Sequence, residues 1–171
     1  MRRKKISSAP IAAQMSDILR KAEMYNRILV AIDGSDTSLL ALKEAIGLAT
    51  VQGSVLRLVH IVEPIVELYG RRGVIVAEYQ RTLEEAGQEV IADYSAMVRG
   101  AGIQFDAASI GTELPGQCIC NAIEEEAKRW KADLIVVGTH GRRGFRHLLL
   151  GSVAEGLIRV ASKPVLLIRG T

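Results

Sequence analysis

The chain has 171 residues, of which 49% are hydrophobic and 24% charged, so it is long enough for one globular domain and is neither disordered nor fibrous. Its formal net charge is only +3, and four of the cations are Arg2, Arg3, Lys4 and Lys5. This charge does not require a basic stripe on the body, so we expect no nucleic-acid partner. The apolar runs fall well short of the roughly 20 residues that a bilayer-spanning helix needs, so we expect no transmembrane segment.

The chain has two cysteines, Cys118 and Cys120, which form a single C-x-C pair. A structural zinc site needs about four ligands, and no second pair is available to complete one. Two cysteines are also too few for a secreted disulfide scaffold. We therefore interpret them as two small residues at the start of a helix, in a protein of the reducing cytoplasm.

Residues 1–24 are predicted to be a basic, amphipathic extension that precedes the domain at residues 25–171. The apolar residues between Pro10 and Met24 recur at helical spacing, and Pro10 suits the first turn of a helix. The segment lacks the apolar core of a secretory signal. Packing against the domain or a partner is favoured over a membrane-surface helix, because no large aromatic residue anchors the apolar face.

From residue 27 onwards, apolar runs typical of strands alternate with helical periodicity. A stretch of residues 63–77 connects the second strand to the second helix, and Gly53 ends the first helix. The predicted strands are residues 27–33, 54–62, 103–110, 133–138 and 164–168. The predicted helices are residues 39–51, a segment of about 20 residues around 83–98, 117–130 and 153–161.

This alternation predicts an α/β fold, a doubly wound five-stranded parallel sheet with strand order 3-2-1-4-5 and helices on both faces. The last strand, from Pro164 to Ile168, then lies at an edge of the sheet. It is short and apolar, and an exposed edge of this kind favours pairing with a second copy. We therefore expect a homodimer that forms through this strand.

Ligands of such sheets bind beyond the carboxyl ends of the strands, and two strands end there in unusual sequences. The first is followed by Asp33-Gly34-Ser35, and the fourth by a glycine-rich stretch from Gly138 to Gly144 that includes His140. Further on, Ser152 and Glu155 match the S-x-x-E capping box at the start of a helix, which is a ready site for an anion. Positive charge nearby comes from Arg142, Arg143 and Arg146.

The spacing Gly138-x₂-Gly141-x₉-Gly151-Ser152 resembles the ATP-binding signature of the universal stress protein family. The stretches RILVAIDGSD at 27–36, DLIVVGTHG at 133–141, LLGSVAE at 149–155 and KPVLLI at 163–168 are similar to the same family. The resemblance extends over about residues 25–170. It implies the ATP-binding subgroup of that family, the same doubly wound fold and the same homodimer.

The resemblance also implies the roles of individual residues. Asp33 would contact the nucleoside, and the backbone at Ile61 would face adenine. Gly138 and Gly141 would line the ribose and phosphates, while the phosphates would be held at the start of the last helix by Gly151, Ser152 and Val153. The remaining residues assigned to the nucleotide site are Ala31, Ile32, Val137, His140, Arg142 and Ala154.

The ligand implied is ATP, or its relatives ADP and AMP, with Mg²⁺ bridging the phosphates if the nucleotide is slowly hydrolysed. The sequence has no Walker loop, no dinucleotide fingerprint after its first strand and no G-x-S-x-G elbow. We see no catalytic constellation of base and nucleophile. A nucleotide-binding module of stress response or signalling, in the cytoplasm, is therefore favoured over an efficient enzyme.

Several other interpretations of the same residues stay open. The alternative function is a phosphatase or phosphotransfer enzyme that uses Asp33 as nucleophile. Asp33, Ser35 and Thr37 also resemble the oxygen ligands of a metal-dependent adhesion site. Asp33 alternatively caps the first helix, His60 is either a buried core histidine or a functional one, and the arginines after Gly141 are either phosphate contacts or a solvated face.

Overall fold

A computed structural model describes residues 25–63, 73–112, 118–141 and 150–170, without the side chains of 73–79. The five strands of these segments are β1 Arg27–Ala31, β2 Val55–Val62, β3 Phe105–Gly111, β4 Leu134–Gly138 and β5 Val165–Ile168. The helices of the same segments are α1 Asp36–Gln52, α2 Gly73–Gly100, α3 Ile119–Trp130 and α4 Ser152–Val160. The predicted extension of residues 1–24 lies outside the described residues.

The strands form one sheet of order β3-β2-β1-β4-β5, in which each neighbouring pair is parallel. The predicted fold class and strand order are therefore confirmed. All five residues of β4 are buried, and so are the three apolar residues Ile28–Val30 in the middle of β1, as expected for a sheet covered on both faces. β5 lies at one edge of the sheet, where the sequence placed it.

Two apolar cores separate the sheet from its helices, one on each face. The first contains Leu42, Leu56 and Val98 and lies under α1 and α2. The second contains Ile123, Ile135 and Leu157 and lies under α3 and α4. These cores hold the carboxyl ends of the strands and the amino ends of the helices at the same edge of the sheet.

The Gly53 cap at the end of α1 agrees with the sequence prediction, and the cap at its start is Ser35. The Ser35 side chain accepts a hydrogen bond from the Ser38 amide at 3.2 Å, and Gly53 ends the helix in the left-handed conformation with φ 70°. Asp33 is therefore not the cap of this helix, which removes one of the alternative interpretations. Most of the other predicted boundaries differ from the structure by one to three residues.

The bounds of the second helix differ more from the prediction. It begins at Gly73 and spans 28 residues, so the predicted connection of residues 63–77 is too long and the predicted helix of about 20 residues too short. The glycines and arginines at 70–73 led to the prediction of a loop, but Gly73 starts the helix. Propensity alone is a weak guide where neighbouring structure decides.

The predicted capping box at Ser152 is wrong. The cap of α4 is Gly151, with φ −76° and ψ 158°, and Ser152 is the first helical residue. The Gly151 amide donates to the Thr139 carbonyl at 2.7 Å, which fixes the helix start one residue earlier than predicted. The Glu155 carboxylate does not turn back to the cap, because it pairs with Arg159 one turn further along α4.

Cys118 and Cys120 lie at the start of α3, as predicted, but their sulfur atoms are bonded to each other. The interpretation of two unlinked small residues is therefore wrong. A pair separated by one residue brings its Cα atoms to 5.2 Å, within the range that a disulfide spans.

Across the described segments, none of the helices is long and apolar enough to cross a bilayer.

Candidate functional site

The loops that follow β1 and β4 meet at the carboxyl edge of the sheet. The two strands are hydrogen-bonded neighbours, with Ile28 opposite Leu134 and Val30 opposite Val136. Their loops are so close that a Cβ atom on Gly141 would lie 2.7 Å from Oδ2 of Asp33. The two stretches that the sequence singled out are therefore parts of one crevice.

The Asp33 carboxylate is held by the turn that leads into α1. Its Oδ1 accepts hydrogen bonds from the Ser35 amide at 3.0 Å and from the Ser35 hydroxyl at 2.6 Å. The Asp33 amide donates to the Ser38 hydroxyl at 3.1 Å. Gly34 makes the turn in the left-handed conformation, with φ 81°. This turn leaves Oδ2 facing Gly141.

The start of α1 is bonded to the end of β4 by hydroxyl groups. Thr37 Oγ1 donates to the His140 carbonyl, and Ser35 Oγ lies 3.4 Å from the same oxygen. Gly138 allows this approach, because a Cβ atom there would lie 2.7 Å from Thr37 Oγ1 and 2.8 Å from the Thr37 carbonyl carbon. The start of α1 and the end of β4 are therefore held together at the base of the crevice.

The side-chain oxygens of Asp33, Ser35 and Thr37 do lie close together, as the adhesion-site pattern suggested. They form hydrogen bonds with each other. Ser35 Oγ lies 3.3 Å from Thr37 Oγ1 and donates to Asp33. The cluster contains one carboxylate, and the described segments hold no group of three or more His, Cys, Asp or Glu side chains able to bind a metal ion. A hard cation held by protein alone usually has more carboxylate ligands.

Helix α4 points its amino end at the same edge. Thr139 positions it, since its carbonyl accepts from the Gly151 amide and its own amide donates to Ile168 at 2.8 Å. The amides of Ser152, Val153 and Ala154 are the first of the helix and have no carbonyl one turn earlier within it. With the positive end of the helix dipole, they form a site suited to an anion. The Gly151 amide is already engaged.

Three of the predicted contact residues have almost fully buried side chains, so a ligand could reach only their backbone. Ile32 is 3% exposed, Val137 6% and Ala154 1%. Ala31 and Ile61 are half-buried and pack against the core under α3 and α4. His140 remains at the crevice, with Nδ1 at 3.0 Å from Thr139 Oγ1. Arg142, Arg143, Arg146 and His147 lie outside the described residues.

His60 is a core histidine. Its Nδ1 lies 2.9 Å from the Ile32 carbonyl, and a Cβ atom on Gly87 of α2 would lie 2.7 Å from its Cδ2. The ring therefore fills the space between the sheet and α2. By holding the Ile32 carbonyl, it supports the residue that precedes Asp33.

Sequence reasoning missed three polar residues that build the crevice: Ser38, Thr139 and Tyr94. The Tyr94 hydroxyl donates to the Ser35 carbonyl at 3.4 Å. Burial is the main cause that raises the pKa of Tyr94, and the nearby carboxylates of Asp33 and Asp36 add to it. Only the run of hydroxyl residues after Asp33 could have indicated this network, since Tyr94 is distant in sequence.

Comparison with known proteins finds a matching family model and similar sequences. Residues 24–169 match the model of the Universal stress protein family. Universal stress protein MJ0531 of Methanocaldococcus jannaschii is 36% identical over 159 residues, which cover 91% of this chain and 89% of that protein.

Two similar solved structures are complexes with an adenine nucleotide. One is a universal stress protein in complex with cAMP, 25% identical with a TM-score of 0.63, and the match covers 86% of this chain and 99% of that one. The other is the universal stress protein from Archaeoglobus fulgidus in complex with dAMP, 25% identical with a TM-score of 0.58, covering 85% and 98%.

Proposed function

Because the chain belongs to the universal stress protein family, we propose that it is a module that binds an adenine nucleotide, with ATP as the ligand, in stress response or signalling. In this proposal the nucleotide lies across the ends of β1 and β4. Hydrolysis is slow at most, and the protein acts in the cytoplasm as a homodimer that pairs through β5. The nucleotide complexes of similar proteins support the choice of an adenine nucleotide.

The observation that carries the proposal is the meeting of Asp33, Gly141 and the start of α4 at one edge of the sheet. The Asp33 carboxylate accepts hydrogen bonds, which suits the hydroxyl groups of a ribose. The α4 amides donate hydrogen bonds, which suits phosphate oxygens. Acceptors for a sugar and donors for phosphates thus lie in one crevice, as a nucleotide requires.

The parts of the nucleotide can be assigned to the crevice in this order. Adenine lies against the backbone of Ile61 and Ile32, and the ribose lies between Asp33 and Gly138. The phosphates pass Gly141 to reach the amides of Ser152, Val153 and Ala154. His140 adds a polar group along this path, and Arg142, the next residue in the sequence after Gly141, would supply a positive charge to the phosphates.

A bound Mg²⁺ would neutralise phosphate charge in such a complex. The crevice offers Asp33 as a carboxylate ligand, while its Ser35 and Thr37 hydroxyls are engaged in hydrogen bonds. In this proposal the ion therefore accompanies the phosphates and has no site of its own in the protein.

Two variants at one position test the phosphate site. Ser152→Pro removes one amide donor at the first helical position, where proline is tolerated, and Gly151 before it already has the extended conformation that proline favours. We expect ATP affinity measured by isothermal titration to fall roughly tenfold, about 1.4 kcal/mol, while adenosine binds as before. Ser152→Ala keeps the amide and serves as the matched control.

A second pair of variants tests the nucleoside site. Asp33→Asn should weaken ATP and adenosine alike by roughly tenfold, because both ligands carry the ribose. Asp93→Asn, an exposed site on α2, removes the same charge elsewhere and should bind both as the parent does. Undiminished ATP binding by folded Ser152→Pro and Asp33→Asn would overturn the proposal. Turnover on the order of 1 s⁻¹ or faster would instead favour the phosphatase alternative.

A further inference from the structure

The start of α3 carries a disulfide that the proposed function does not use. Cys118 is the N-cap of α3, and Cys120 is the second residue of the helix. Their sulfur atoms are bonded. The Cys118 residue is exposed, whereas Cys120 is only 3% exposed, so one sulfur atom belongs to an accessible residue and the other to the core.

The disulfide is packed against helix α4 at Gly156. A Cβ atom on Gly156 would lie 2.6 Å from Sγ of Cys120, 2.9 Å from its Cβ and 3.4 Å from Sγ of Cys118. Cys120 therefore occupies space that any larger residue at this position of α4 would need, and Sγ of Cys118 is in van der Waals contact with the same space. The bonded pair fills the contact between the amino end of α3 and the first half of α4.

We propose that Cys118 and Cys120 form a reversible thiol–disulfide exchange site, whose oxidised form holds the start of α3 against α4. Reduction is by a dithiol. Its thiolate attacks Sγ of Cys118, a mixed disulfide forms, and Sγ of Cys120 leaves with the electron pair and takes up a proton. The second thiolate of the reductant then attacks the reductant's own sulfur and releases Cys118 as a thiolate, so that two electrons reach the protein and the dithiol becomes a cyclic disulfide.

The position of the pair supports exchange in both directions. Each cysteine lies in the first turn of α3, where free backbone amides and the helix dipole stabilise a thiolate. The exposed Cys118 gives a reductant access. One residue separates the two cysteines, so after reduction the second thiol stays near the first and the bond can form again.

Reduction frees the two side chains to rotate, and Cys118 can turn towards solvent. The contact at Gly156 then loses one of its two sulfur atoms. We therefore expect the amino half of α4 to be less protected in the dithiol form than in the disulfide form. This effect depends on the packing of α3 on α4 and does not require nucleotide binding.

The test uses the full native chain, whose only two cysteines are the pair itself. Mass spectrometry after N-ethylmaleimide in denaturant, which exposes the buried Cys120, should find no adduct on the oxidised protein and two adducts on protein that dithiothreitol has first reduced in its native state. Reduced protein that is treated with excess oxidised glutathione before N-ethylmaleimide should again carry no adduct. Hydrogen exchange of peptides covering α4 should be faster in the dithiol form.

Two variants make the result specific. Cys118→Ser/Cys120→Ser should show the same α4 exchange with and without dithiothreitol. Gly156→Ala should shift the equilibrium with dithiothreitol towards the dithiol roughly fivefold or more, because free thiols can turn from the added methyl group and a bonded pair cannot.

Three results would overturn the proposal. The first is a pair that dithiothreitol fails to reduce in the native chain. The second is a pair of thiols that stays open to N-ethylmaleimide after oxidised glutathione. The third is an equal exchange rate of α4 in the two redox states. Each of them can be observed whether or not the protein binds a nucleotide.

Discussion

At the scale of single residues, the signature glycines act through close approach. The glycines in the left-handed region of the described chain are Gly34, Gly53 and Gly102, and no signature glycine is among them. Gly138 makes room for Thr37, Gly141 for the Asp33 carboxylate, and Gly151 for the Thr139 carbonyl, 3.0 Å from where its Cβ would be. These contacts lie inside the protein, so a side chain there disturbs the crevice even before a ligand arrives.

The sharpest consequence is at Gly141. Gly141→Ala places a methyl group 2.7 Å from Asp33 Oδ2, so the carboxylate must move from its place in the turn. We expect affinity for ATP and for adenosine to fall by roughly tenfold, about 1.4 kcal/mol, measured by isothermal titration. Gly47→Ala, exposed on α1 with nothing within 4 Å of the added Cβ, is the control.

The control should bind the nucleotide unchanged and unfold at higher temperature, since alanine in a helix interior is favoured over glycine by about 0.5–1 kcal/mol. Nucleotide affinity of Gly141→Ala equal to that of Gly47→Ala would show that Asp33 does not contact the ligand.

The sequence predicted which residues line the crevice better than it predicted the hydrogen bonds between them. Asp33 and Gly141 could be brought together from strand order alone, because their strands were expected to be neighbours. The capping box at Ser152 failed because the Gly151 amide bonds to Thr139, a residue of another strand end, and no local pattern contains that partner. The disulfide could not be predicted either, since spacing alone does not say whether two cysteines are bonded.

At the scale of elements, α3 is joined to the segment before β5 by a buried carboxylate. Glu124 is 4% exposed, and its Oε1 accepts from the Ser162 amide at 3.1 Å and from Lys128 Nζ at 3.1 Å. Burial, the largest influence, acts to raise the pKa of Glu124, but the bonds from Ser162 and Lys128 together keep it below its ordinary value. The ionised carboxylate therefore stabilises the folded state.

A lowered pKa in the folded state gives a stabilisation that is present above the ordinary value of 4.5 and is lost as the pH falls through the folded value. Glu124→Gln should therefore reduce the free energy of unfolding at pH 7 by about 1–2 kcal/mol, measured in urea. The difference from the parent should shrink below pH 4.5. A difference that stays constant down to acid pH would mean that packing, and not charge, is responsible.

The helices and strands also differ in how well the sequence predicts their bounds. β1 and β4 were predicted to within two residues, because runs such as Ile28 to Val30 have to be buried on both faces. The start of α2 was misplaced, because Gly73 lies in a stretch rich in glycine and arginine that reads as a loop. A helix boundary depends on which groups are nearby in space, and short-range periodicity does not contain that information.

At the scale of the whole molecule, Tyr25 is bonded into the fold just before β1. Its amide donates to Gln52 Oε1 at 3.1 Å, its carbonyl accepts from the Ser54 hydroxyl, and its ring packs against the core under α1 and α2. We propose that residues 1–24 are a separate extension. A chain without them should bind ATP within about twofold of the parent by isothermal titration, since every residue assigned to the site follows Tyr25.

The control for that truncation removes two more residues, Tyr25 and Asn26. It should unfold at a lower temperature, because the bonds at Tyr25 and the backbone bond from the Val55 amide to Asn26 are lost. Loss of ATP binding in the shorter truncation, with the fold intact, would place part of the nucleotide site in the extension.

The proposed homodimer would pair through the outer edge of β5, the last strand of the described sheet. The carbonyls of Pro164 and Ile168 accept bonds from β4, so the alternation of a strand turns the backbone of Val165 and Leu167 to the open side. A two-fold partner strand placed antiparallel would pair Val165 of each copy with Leu167 of the other. α4, which packs beside β5, adds apolar surface at Ile158, 56% exposed, and Val160, 40% exposed.

Val165→Pro tests this pairing with little change of shape. It removes the outward amide of Val165 while leaving the carbonyls that bond to β4, so we expect the dimer to dissociate to monomers. Val165→Thr keeps the amide and a branched side chain of similar size, and it should remain a dimer. Light scattering at micromolar concentration measures both, with circular dichroism to confirm that each is folded. A monomeric parent, or a Val165→Pro chain that stays dimeric, would show that β5 is not the interface, and the exposed Ile158 and Val160 would then need another partner to cover them.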